Sequence, residues 1–186
     1  DVTLDGMGHT ITGDSSPGEP AILVDGATNV TVGNLTVEGW NGTGGVGIEY
    51  DGAEDGVIEN VTASENERGL RIGGASSNVT VDTSEVTNST NAALQIAPSG
   101  VPAEQFEVRD SLFNGTKSGS TVALLADSNT SLANNTIANA SNHGVFVDDV
   151  DGADLTNNTI ANASDHGVFV DDVDGANLAN NTIENN

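Results

Sequence analysis

His143 and His166 head two near-identical segments, each followed by the same Gly-Val-Phe-Val-Asp-Asp run. If those runs are adjacent parallel strands, about 4.8 Å apart, the two imidazoles come within reach of one metal ion. Imidazole nitrogen suits copper and similar transition ions. No third His and no Met shares their register, however, and His9 lies in the first repeat, far along the chain. A solvated turn histidine in each copy is the competing reading. The acidic run that follows is denser. Asp148, Asp149, Asp151 and Asp154 recur as Asp171, Asp172 and Asp174, with Asn177 in the last place. Stacked, they put seven carboxylates on one edge. Unit charges 4.8 Å apart repel by roughly 3.5 kcal/mol at an effective dielectric of 20, a cost that oxygen-seeking Ca²⁺ would convert into stabilisation. No stretch fits an EF-hand loop or a glycine-rich calcium repeat. The expectation is therefore loosely held monovalent cations or weak calcium on a salt-screened edge, with no cofactor required.

Phe146 and Phe169 fall between the two inward residues of their strands. Their column across the repeats reads Leu23, Glu49, Arg71, Gln95, Ala123, Phe146, Phe169. Glu, Arg and Gln mark it as outward, so two stacked phenylalanines are expected on the surface of a chain that is 3% aromatic. An exposed apolar patch signals contact with a ligand or partner: a sugar ring, a neighbouring chain, or a loop of this one. Catalysis has less support. Glycoside hydrolysis needs two carboxylates at a set separation, and in so acidic a chain proximity means little. Arg68, Arg71, Arg109 and Lys117 are the only cations; Arg68 and Arg71, with Glu65 and Glu67 nearby, are expected to form local ion pairs. A unit repeated almost unchanged suits a scaffold or multivalent binder better than a unique active site. Among thirteen N-x-S/T sequons, those at Asn41 and Asn88 are placed on insertions and are the better glycan acceptors if the protein is exported.

Stacked repeats must position these residues. Residues 134–156 and 157–179 differ only at Asn142/Asp165, Asp154/Asn177 and Thr156/Ala179. Weaker copies run back to the start with a period of about 23 residues. One apolar column is Ile22, Ile48, Leu70, Leu94, Val122, Val145, Val168; two residues on come Val24, Tyr50, Ile72, Ile96, Leu124, Val147, Val170. A second strand runs through Val32, Ile58, Val81, Val108, Leu132, Leu155, Leu178. Five residues later stand Val37, Ala63, Val86, Phe113, Ile137, Ile160, Ile183, with Leu4 and Ile11 opening the series. Spacing of two with β-branched residues means strands buried on one face. Gly and Asn interrupt too often for helices. Short near-identical periods stack best in parallel, which predicts an all-β, single-stranded right-handed parallel β-helix of about seven coils. Asn134, Asn157 and Asn180, with Asn135, Asn158 and Asn181, mark the bend after the second strand; Asn34 and Asn60 are earlier members. Asn tolerates left-handed backbone, and stacked amides bond from coil to coil.

Composition agrees. Only 35% of the 186 residues are hydrophobic, too few for a broad core but enough for a narrow repeated one. There is no Cys, and no apolar run approaches membrane-spanning length. The formal charge of −24 opposes binding to nucleic acid or anionic membrane at low salt. Molar salt shortens the Debye length to about 3 Å and makes such charge tolerable. Scarce Lys and abundant Asp resemble proteins of halophilic archaea.

The opening VTLDGMGHTITG, the GIEYDGA-type strands and the NNTI turns resemble the NosD-like right-handed β-helix repeats, also described as carbohydrate-binding and sugar-hydrolase domains. The resemblance spans nearly the whole chain and is specific for fold. It implies membership of a group that includes copper-site maturation proteins, polysaccharide-acting enzymes and surface proteins. The expectation is one β-helix domain over 1–186, cut from a longer protein. It would act outside the cell or on its surface as a scaffold or binding module for polysaccharide or a surface protein, with self-association possible. A polysaccharide hydrolase, lyase or epimerase is the alternative, and a copper- or calcium-handling protein the third.

Overall fold

The computed structural model describes residues 1–99, 105–125 and 129–186. Among the described residues there are twenty strands and no helix. Every pairing between named strands is parallel, and it joins a strand to its equivalent one coil on. The chain winds round three faces. The first is a seven-stranded sheet: Ile22–Asp25, Val46–Asp51, Arg68–Gly74, Ala92–Pro98, Val122–Leu125, Val145–Asp148 and Val168–Asp171. The other two faces begin as one. Val2–Thr12, Val30–Glu38 and Val57–Ser64 each run through both, and from Val79–Asp82 and Glu85–Ser89 onward each coil divides into two short strands. Seven strands on the first face make the expected solenoid of about seven coils.

All four apolar columns read from the spacing pair in register, coil over coil. Val145 lies over Val168 and Val147 over Val170, while Leu155 and Ile160 lie over Leu178 and Ile183. Leu4 and Ile11 open the series against Val32 and Val37. Interior members are fully buried; Val170, Leu178 and Ile183 are exposed because the last described coil has no further coil over it. Tyr50 is the largest fully buried side chain among the described residues, and it carries a hydroxyl into the core. Its hydroxyl donates towards the Val30 and Val57 carbonyls at 3.1 and 2.9 Å, and burial pushes its pKa upward. Its ring is admitted by Gly56, where a Cβ would collide with it.

The corners explain the asparagines. One residue per bend takes the left-handed conformation: Asn34, Asn60, Thr83, Asp110, Asn134, Asn157 and Asn180 all have φ between 47 and 58°. Asn and Asp are favoured there because their short polar side chains reduce the penalty. The next residue turns inward and forms the ladder. Asn135 donates from its backbone N–H and its Nδ2 to Asn158 Oδ1 at 2.9 and 3.1 Å, and Asn158 does the same to Asn181. Upstream the ladder continues on hydroxyls, Ser111 and Ser84 taking the amide's place. The second column satisfies buried donors, while the first sets backbone and, at Asn60 Nδ2 to Asn34 Oδ1, adds an exposed amide bond of 2.7 Å between coils.

Asn41 lies, as expected, exposed in the insertion between Val30–Glu38 and Val46–Asp51. Asn88 does not lie on an insertion. It is exposed, but it sits within strand Glu85–Ser89 at a corner with φ 56°, in the role played by Asn139 and Asn162.

Candidate functional site

Strand Val145–Asp148 pairs with Val168–Asp171 so that Phe146 stands over Phe169 on the outward side of the first face. The whole outward column holds its register: Leu23, Glu49, Arg71, Gln95, Ala123, Phe146, Phe169. The two rings stack at 5.6 Å between centroids, 11° apart. They are half-buried rather than open, because both imidazoles fold across them. His143 lies nearly parallel to Phe146 at 5.7 Å and to Phe169 at 4.8 Å, and His166 tilts against Phe169 at 5.5 Å. The cover is therefore part of the same repeat unit.

That arrangement corrects the reading of His143 as a solvated turn residue: it is only 8% exposed. Gly144 lets the chain pass so close, since a Cβ there would sit 2.6 Å from an Ile160 methyl. His166, one coil later, is exposed. Burial pushes the His143 pKa down; the Asp165 carboxylate opposes that shift and His166 adds to it. Asp165 reaches both rings, with Oδ1 3.0 Å from His166 Nδ1 and Oδ2 3.7 Å from His143 Nδ1. Spacing alone missed Asp165. Its one signal is that it replaces Asn142 of the preceding copy. Among the described residues, His143, Asp165 and His166 are the one trio of such side chains whose ligand atoms all lie within 4.8 Å of one another.

The acidic edge is placed differently. Asp148 and Asp171 pair in register. Asp149 and Asp172 occupy a left-handed corner, φ 56 and 48°, that Gly26, Gly52 and Gly74 fill in earlier coils. Asp151 and Asp174 are exposed, and Gly152 N–H donates to the Asp174 carbonyl at 2.9 Å. Arg68 and Arg71 form local ion pairs as expected, Arg68 with Glu67 at 3.0 Å and Arg71 with Glu49 of the preceding coil; Arg109 also pairs, with Asp82 at 2.8 Å.

Beside Phe146 the outward column drops to Ala123, and a groove of about 260 Å³ opens there. Ala123 is its floor and Phe146 one wall; Asn91, Gln95, Ser120 and Asn142 present amides and a hydroxyl. A larger hollow of about 600 Å³ near Met7 and Asn60 has no aromatic wall and lies at the register break between Asp5 and His9. Among the described residues no helix is long and apolar enough to cross a membrane.

The right handed beta helix region matches residues 20–186 as a family. No curated protein matches the chain in sequence. Among solved structures, the A-module of mannuronan C-5 epimerase AlgE6 from Azotobacter vinelandii superposes with a TM-score of 0.69 at 16% identity, over 85% of this chain and 52% of that one. A point mutant of the periplasmic alginate epimerase AlgG gives 0.67 at 12% identity, over 88% and 48%. Tailspike protein 2 of an Escherichia coli O157:H7 bacteriophage gives 0.62 at 11% identity, over 98% and 32%. The chain thus spans about half the length of the two epimerase structures and a third of the tailspike. At these identities the likeness is one of fold.

Proposed function

The chain belongs to the right handed beta helix family, and we propose that it is a binding module that holds a polysaccharide along the outward side of its first face, outside the cell and in high salt. One observation carries the reading: Phe146, stacked on Phe169, walls a groove lined by the amides and hydroxyl of Asn91, Gln95, Asn142 and Ser120 beside apolar Ala123 and Leu125. A pyranose ring has apolar C–H faces and a rim of hydroxyls, so it matches an aromatic wall with amide neighbours. The column's charged members, Glu49 and Arg71, are paired with each other, which leaves Asn91, Gln95, Ser120 and Asn142 as the recognising groups. The alginate epimerases among the similar folds favour a polysaccharide as the ligand class. The charge of −24 argues for neutral chains at low salt, with uronate chains admitted only when molar salt screens the repulsion. Two copies of the aromatic unit suit contact with successive sugars.

Affinity electrophoresis and calorimetry in molar NaCl, with neutral and uronate polysaccharides, test the proposal. Gln95→Ala with Asn142→Ala removes two of the three amides without touching the aromatic stack, and should weaken binding while leaving the melting temperature in place. Ala123→Trp should fill the groove and abolish binding. Equal retention of every polysaccharide by wild type and Ala123→Trp would overturn the reading, and release of shortened chains would make the groove catalytic instead.

A further inference from the structure

We propose that His143, Asp165 and His166 form a site for one divalent transition-metal ion of the zinc kind, taking two imidazole nitrogens and one carboxylate. The case begins with the orphaned nitrogen. His143 Nδ1 is buried and has no hydrogen-bond partner among the described residues, although the ring around it is 8% exposed and held nearly parallel to two phenylalanines. A buried polar nitrogen without a partner is unusual, and this one points at a carboxylate 3.7 Å away, too far for a hydrogen bond. That separation is natural for two ligands of one ion. With bonds of about 2.0–2.2 Å in a tetrahedral shell, ligand atoms lie about 3.3–3.5 Å apart. The pairs here, 3.7 Å for His143 and 3.0 Å for His166, fall on either side of it.

The surroundings agree. The His143 ring is preorganised by its stack on Phe146 and Phe169. Asp165 and His166 are about half exposed, which gives an ion a way in and leaves room for a solvent ligand. Three protein ligands with an open position is a known zinc arrangement. The site occurs once although the unit occurs twice: one coil back, Ser120 and Asn142 stand where His143 and Asp165 do. The change from Asn142 to Asp165 supplies the site's carboxylate; at the acidic edge no carboxylate trio converges among the described residues.

Calorimetric titration of ZnCl₂ into the whole chain, at slightly alkaline pH in molar NaCl, tests this. One equivalent should bind, and excess CaCl₂ should not displace it. Asp165→Asn, which restores the residue of the preceding copy and so keeps the fold, should weaken binding at least about tenfold. His166→Gln, at an exposed position, should do the same, and affinity should fall as pH drops through the imidazole range. Circular dichroism establishes that each variant retains its strands. Absence of saturable uptake by the wild type would overturn the proposal. So would several equivalents whose affinity is indifferent to both substitutions or is competed by calcium.

Discussion

Asn158→Ala is the sharpest test of what holds the coils together. Asn158 is 1% exposed, and its amide uses its full bonding capacity. Oδ1 accepts from Asn135 N and Asn135 Nδ2 at 2.9 and 3.1 Å; Nδ2 donates to the Leu132 carbonyl at 2.8 Å and to Asn181 Oδ1 at 3.0 Å. Alanine removes all four. Asn135 Nδ2 keeps the Val108 carbonyl and Asn181 Oδ1 keeps the Asn158 backbone N–H, so those losses are ordinary hydrogen bonds of about 1 kcal/mol or less each. The Asn135 N–H is left buried with its acceptor gone, at about 1–3 kcal/mol, and the Leu132 carbonyl loses its amide donor. The sum is about 3–5 kcal/mol. The adjacent Asn157 makes a control: it is exposed and needed only for its φ of 56°. Asn157→Ala should cost about 1 kcal/mol in left-handed strain, and Asn157→Gly close to nothing. Urea unfolding in molar NaCl gives the difference, and hydrogen exchange at the Asn135 amide localises it. Were Asn158→Ala to cost no more than Asn157→Ala, the ladder would be incidental and backbone pairing alone would set the bend.

Thermal stability should climb steeply from low salt to molar NaCl or KCl, because screening relieves the self-repulsion of a −24 chain; a flat melting temperature would refute the salt adaptation. Asp149→Gly with Asp172→Gly should stabilise, since glycine fills that corner in earlier coils and two charges leave the edge. Calcium should bind this edge no tighter than about 10⁻⁵ M, and a tight calcium site lost in that variant would give the aspartates a coordinating role. His143 binds its proton less readily folded than unfolded, so its contribution is complete above the ordinary value of 6.5 and is lost as pH falls through the lower folded value. Melting between about pH 7 and 5 should therefore fall, and His143→Gln should flatten that slope.

The core was legible because it is written twice over, as alternation within each strand and as like-over-like between repeats. One wrong register would have sent every column to solvent, and all four columns pair as read. The surface was less legible, for reasons that differ by residue. Asp149 shows its charge in the sequence but not its left-handed φ of 56°, a second role that only the backbone reveals. Asn88 looked like an insertion because spacings between 22 and 28 residues blur the corner. His143 looked solvated because it lies beyond the strand's end, and only its side-chain direction, laid back over Phe146 and Phe169, buries it. Asp165 stands out in sequence only as one of three differences in 23 residues, and nothing in the spacing says that it meets both imidazoles.

Repetition itself explains why the useful variation lies on the outward column of the first face. An inward residue is held by neighbours above and below and by the two other faces, so it can change only for another apolar side chain of similar volume. An outward residue touches little besides its own column, with coils about 4.8 Å apart. There a change of size has a local geometric effect. Gln95 and Phe146 are both long, and Ala123 between them is short, so one missing side chain leaves a slot a strand wide without loosening the core beneath it: Val122 and Leu124, on either side of Ala123, remain fully buried. A large residue at 123 would extend the aromatic stack and erase the groove at little cost in stability. The fold does not require alanine there, so the slot beside the stacked rings is the feature of this face on which the proposed polysaccharide binding rests.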